Sequence, residues 1–210
     1  MIIQLLDNLE KLNDAHLEQG DAIRKAFGGA FYEFDMLSFA VLNRSMSLTS
    51  GFITLMRKDN FIAAAPLIRI QLDNYLRYAA GWLVSNPHEY VVKILSGEHI
   101  SNIKTKEGKR MTDRFLVNEF SKEHKWIKSV YKNTSGYIHL SDKHMYMNII
   151  KLNSKQRSAT YKISDKDTHM PEKFKVEAVM AFTKITELVL HRAYSWQYTK
   201  DNPQALRKET

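Results

Sequence analysis

The stretch FIAAAPLIRIQLDNYLRYAAGWL, Phe61 to Leu83, is apolar nearly all round at helical spacing. In a water-soluble fold a helix of that kind belongs at the centre. Yet Arg69, Asp73 and Arg77 stand four residues apart on it, which stacks them along one stripe. Three charges are costly to bury unless each finds a partner, so the stripe must face other polar groups or a cleft. The same three charges argue against a bilayer span.

Working outward, Lys58-Asp59-Asn60 is a connection short enough to make the preceding segment an antiparallel neighbour. That segment predicts a long helix from about Tyr32 to Arg57, with Leu37, Val41, Leu48, Phe52 and Leu55 on its buried face. Its other face is small and polar (Ser38, Ser45, Ser47, Thr49 and Ser50, with Arg44 and Gly51) and allows close approach by a neighbour. Upstream, an amphipathic helix spans Met1 to about Glu18, Gly20-Asp21 marks its end, and Phe27-Gly28-Gly29 is a second interruption.

Downstream, Ser85-Asn86-Pro87 closes the central helix and opens a short one to about Ser96. Gly97 to Arg110 reads as a basic loop, Thr112-Asp113 as a helix start, and a further helix follows from about Lys122 toward Ser135 or beyond. From about Met145 to Ile163 the pattern alternates and predicts a two-stranded hairpin turning near Asn153-Ser154. Such a hairpin is marginal alone in water, so it should pack on the helices or pair with another chain. Pro171-Glu172 then opens a last long helix to about Tyr198. The expected fold is mainly α, an antiparallel helical bundle with a small β-hairpin before the C-terminal helix. It occupies residues 1–200 as one domain, and 201–210 form a polar tail.

The chain has 210 residues and no cysteine, which excludes disulfides and thiolate zinc sites and fits a reducing cytoplasm. Its N-terminal residues carry acids and amphipathic spacing instead of a basic head and apolar run, so neither export nor membrane insertion is expected. The net charge of +8 is unevenly placed. Between His99 and Lys166 there are fifteen Lys or Arg against six Asp or Glu, whereas the rest of the chain has sixteen against seventeen. One segment holds the whole excess. It is either a surface for a polyanion or a solvated lysine-rich exterior.

No glycine-rich phosphate loop, GxSxG elbow or HExxH is present, and no cofactor or metal is expected. His139, Asp142 and His144 are close in sequence but read as a solvated turn. Among the eight histidines, His16, His88, His124 and His144 look like surface residues, while His139 closes a patterned helix end. Around it, Tyr131, Ser135, Ile138 and His139 can share one helical face.

The run from Tyr131 through Lys132, Asn133 and Ser135 to His139, together with an arginine-bearing apolar helix earlier in the chain, resembles the HEPN (higher eukaryotes and prokaryotes nucleotide-binding) superfamily of helical proteins, and within it an uncharacterised bacterial branch. Ribonucleases of that superfamily use an arginine, four to six intervening residues and a histidine. Here Lys132 takes the arginine's place, with six residues between it and His139, and Asn133 fills the polar position after it. The resemblance implies a cytoplasmic homodimer that binds RNA or a nucleotide, with metal-independent cleavage using the 2′-hydroxyl as nucleophile. His139 would serve as general acid or base, Arg69, Arg77 or Lys132 would stabilise the phosphate, and Asp73 would orient them. Arg44, Tyr131, Asn133 and Ser135 would complete the binding set. A lysine does not replace a bidentate arginine. Either Arg69 or Arg77 supplies the guanidinium, or the chemistry is absent and the stripe is an internal ion network in a helical interaction protein.

Overall fold

The computed structural model describes residues 1–204, so the expected polar tail lies outside the described residues from 205 onward. In chain order the helices are α1 (Ile2–Glu10), α2 (Leu12–Lys25), α3 (Glu33–Arg57), α4 (Phe61–Ala79), α5 (Pro87–Leu95), α6 (Asp113–Phe120), α7 (Trp126–Ile138) and α8 (Asp142–Met147). Strands β1 (Ile149–Asn153) and β2 (Ser158–Tyr161) precede the last helix, α9 (Glu172–Asp201). The fold is mainly α with the antiparallel hairpin where the alternation placed it. No helix among the described residues is long and apolar enough to cross a membrane.

Helix α4 is the centre: α3, α7 and α9 all pack against it. Its buried side chains, including Phe61, Ile68, Leu72, Tyr75 and Leu76, fall on several faces, as a near-continuous apolar pattern requires. Its N-terminus is held from two sides. Asn60 accepts from the Ala63 amide at 3.1 Å, and buried Asp167, from the loop before α9, accepts from the Ile62 amide at 2.9 Å. At the other end the chain tightens into a short 3-10 turn, Ala80–Trp82. A Cβ on Gly81 would sit 2.5 Å from the Phe34 ring, so only glycine lets α3 and this turn meet.

Two ion pairs fix α9 antiparallel to α3. Lys175 Nζ donates to Asp59 Oδ1 at 2.6 Å just past the C-terminus of α3. At the opposite end, Lys200 Nζ donates to Asp35 Oδ2 at 2.9 Å, with both side chains 1% exposed. Asp35 is fully engaged, since it also accepts from Trp196 Nε1 and from the Tyr32 amide. Such a pair lasts only because its remaining lone pairs and protons are bonded.

The small polar face of α3 does allow close approach, and it is also hydrogen-bonded. Ser38 meets Tyr78 at 2.7 Å, while Ser45 Oγ lies 2.6 Å from Gln71 Nε2 and 2.8 Å from His16 Nε2. Gln71 Nε2 also donates to Thr186 Oγ1 on α9. This polar seam, buried throughout, ties α2, α3, α4 and α9 together.

His16 was expected at the surface and is instead 1% exposed. The reason lies in α2, which does not end at Gly20 but continues to Lys25, so the His16 face packs on α3. A second difference is α8, a short helix where the pattern suggested the first strand would begin. Ser141 and His144 cap its first turn, which delays the strand to Ile149.

His16 supplies a pH test. Burial pushes its imidazole pKa below the usual 6.5, partly opposed by the bond to the Leu12 carbonyl. The unfolded chain therefore binds a proton first, so the stability His16 contributes is complete above pH ~6.5 and is lost as pH falls through the lower folded value. Urea midpoints measured from pH 7 to pH 5 should fall more steeply for the wild type than for His16→Gln. Equal slopes would rule out this assignment.

Candidate functional site

The charged stripe of α4 has an acidic partner that the spacing did not reveal. Arg77 Nε donates to Asp73 Oδ1 at 2.8 Å, one turn back on the same helix. Its Nη2 reaches across to Asp113 Oδ1 at 2.9 Å. The other oxygen of Asp113 lies 3.5 Å from Arg69 Nη2, so one carboxylate spans both arginines. Two arginines and two aspartates leave no net charge. The positive excess expected of the stripe is cancelled from α6.

Asp113 is well placed for this because it is the first residue of α6. Thr112 Oγ1 accepts from the Phe115 amide and fixes where that helix begins. A carboxylate in the first turn also meets the positive end of the helix dipole. Tyr90 from α5 donates to the Arg77 carbonyl at 2.8 Å, and its burial raises the phenol pKa well above the usual value.

Arg69 is the most enclosed of the four, with its side chain 12% exposed. Its guanidinium carbon lies 3.5 Å above the centre of the Tyr131 ring. That face-on geometry, partly desolvated, contributes on the order of 1–2 kcal/mol. Its Nε and Nη1 are buried and make no hydrogen bond to protein.

The structure thus brings together Arg69, Asp73, Arg77 and Tyr131, and leaves the other expected residues apart from them. Arg44 is exposed on α3 with no ion pair among the described residues. Lys132 is exposed, Asn133 leans on Ser129 of its own helix, and Ser135 Oγ donates to the Tyr131 carbonyl. His139 is exposed, just past the end of α7.

Direction decides the separation. Phe61 meets Tyr137 while Arg69 meets Tyr131, so α7 runs antiparallel to α4. His139 lies eight residues beyond Tyr131, roughly 12 Å further along the axis and away from Asp73 and Arg77. Within one chain, His139 and the α4 arginines do not form a common site. Nor do His139, Asp142 and His144 converge; no group of three such side chains among the described residues could hold one metal ion.

The basic segment presents a different surface. Of its fifteen cations, Lys122 alone has a carboxylate partner among the described residues, at 2.7 Å from Glu119. Lys104, Lys106, Lys109 and Arg110 are exposed on the loop between α5 and α6. Lys125, Lys128 and Lys132, at three- and four-residue spacing, form an exposed stripe beginning at the N-cap of α7. Compared with protein-family models, with curated proteins and with solved structures, the chain matches none of them.

The bridge by Asp113 can be measured. Asp113→Asn should lower stability by about 1–2 kcal/mol, discounted from a fully buried charged bond because the carboxylate is partly solvated. A double-mutant cycle with Arg77→Met should return a coupling of at least ~0.5 kcal/mol. Additive effects would mean that the contact does not hold α6 to α4.

Proposed function

We propose that this chain is a helical polyanion-binding protein, RNA being the polyanion expected from its HEPN-like pattern. In this reading the α4 charges serve the fold and the outer lysines serve binding. The observation that carries it is the contrast between the two sets of charges. Inside, Arg69 and Arg77 are answered by Asp73 and Asp113. Outside, fourteen of the fifteen cations between His99 and Lys166 have no carboxylate partner among the described residues. Cations without carboxylate partners on one segment suit phosphate backbones, which bind by releasing counterions and not by shape.

Cleavage is a second reading, and the exposed position of His139 past the end of the lysine-bearing helix favours it. An imidazole open to solvent on a basic surface can reach a bound ribose-phosphate and act there as general acid or base. In that case lysines such as Lys132, not the α4 arginines of the same chain, would offset the phosphate charge.

A salt series with a labelled single-stranded RNA tests the binding. Affinity should fall steeply with ionic strength, and Lys125→Glu/Lys128→Glu/Lys132→Glu should weaken it at least tenfold while reducing the log–log slope by about 2. A salt-independent signal, or none, would remove RNA as ligand. Incubating RNA in chelator with wild type and with His139→Ala tests the second reading. It survives only if the wild type cleaves and the variant does not.

A further inference from the structure

Apolar side chains that a fold does not bury among themselves can lie open to water or gather around a cavity, and this chain does both. Ile150, Leu152, Tyr161 and Ile163, on or next to the hairpin, are at least half exposed. Elsewhere, between the start of α3, the turn after α4, the start of α5 and the end of α9, a cavity of about 480 Å³ stays open. Five aromatic side chains line it: Tyr32, Phe34, Trp82, His88 and Trp196. That volume suits a small organic molecule, and a mostly apolar lining with a few polar groups is the common form of such a site.

The walls are fixed by the fold itself. Phe34 meets Trp82 and Trp196 edge-on, at 5.2 and 4.8 Å between ring centres, and Trp196 meets Tyr32 edge-on at 6.5 Å. Asp35 holds the set together by accepting from the Tyr32 amide, from Trp196 Nε1 at 2.7 Å and from Lys200 Nζ at 2.9 Å. Trp196 spends its one donor on that carboxylate, so it offers the cavity an apolar ring. Walls held in place in advance lose little freedom on binding.

Charge narrows the ligand. Lys200 is the one Lys, Arg, Asp or Glu that lines the cavity. Its charge is already matched by Asp35, with both side chains 1% exposed. A ligand anion would meet that buried carboxylate and a ligand cation would meet the ammonium, and neither gains a free countercharge. What stays open is one hydrogen bond. An ammonium has three N–H groups, and Nζ gives one to Asp35 and one to the Ile23 carbonyl, each at 2.9 Å. We propose that this cavity binds a neutral, planar aromatic molecule whose carbonyl oxygen or ring nitrogen accepts the remaining N–H of Lys200. No cation of the His99–Lys166 segment lines it, so this site and the polyanion reading can each fail alone.

Isothermal titration calorimetry with 2-quinolone, a neutral bicyclic carbonyl compound, tests the site. It should bind with a dissociation constant below about 1 mM. 2-Naphthoate and 2-naphthylmethylammonium, similar in shape but charged, should each bind at least fivefold more weakly. So should indole, which donates a hydrogen bond and accepts none. Ser85→Trp narrows the mouth from an exposed position, and Thr199→Trp narrows it from α9. Each should weaken 2-quinolone at least tenfold with the helical circular dichroism retained. Leu152→Ser, on the hairpin, should leave binding unchanged. The proposal is overturned if 2-quinolone does not bind at about 1 mM, or if the charged probes or indole bind as well as it does. Binding that survives both tryptophan variants, or is lost with Leu152→Ser, overturns it too.

Discussion

A single carboxylate settles how the centre of this protein can exist. Helix α4 needs to be surrounded because it is apolar on nearly every face, and it carries two guanidinium groups into that position. Asp73 alone would leave an uncancelled charge against the core, which is too costly to keep without a further partner. Asp113 lies 2.9 Å from Arg77 and 3.5 Å from Arg69 and removes the imbalance. It thereby fixes where α6 lies, and α6 leads into α7, whose Tyr131 closes over Arg69. The order of dependence runs from charge to helix placement and then to packing.

The same logic recurs along α9. Asp35 and Asp59 are 24 residues apart across α3, and Lys175 and Lys200 are 25 apart along α9. At about 1.5 Å per residue both spans come to roughly 37 Å, so the two pairs can close only with the helices antiparallel and in one register. Burial of Phe182, Ile185 and Val189 supplies the apolar drive between them. The ion pairs choose the register, which a nonspecific apolar face would leave open to sliding.

Much of this arrangement was legible because helices and strands announce their periods locally. The long helices, the Thr112 start, the Phe27-Gly28-Gly29 break and the hairpin follow from spacing, capping and turn chemistry. Phe27, Gly28 and Gly29 all take positive φ, as an interruption there requires. What escaped is non-local. Asp113 reads as an ordinary first-turn acid, and nothing in its neighbourhood says that it will meet a residue 36 positions earlier. His16 looked exposed because Gly20 suggests a helix end, yet tertiary packing carried α2 through it. The grouping of His139 with the α4 arginines foundered on a directional fact, the antiparallel course of α7, which spacing within one helix cannot encode. Tyr131, expected in the binding set, meets the stripe as a ring stacked under Arg69.

Two kinds of unfinished surface remain once the interior is accounted for, and they differ in physical character. The lysines of α7 and of the loop before α6 are complete as solvated groups; they need nothing and merely allow a polyanion to displace their counterions. The apolar face of the hairpin is different, because leaving it in water opposes the folding of the two strands that present it. A charged surface can persist empty, and an apolar one of this size on so small a sheet cannot persist alone at little cost.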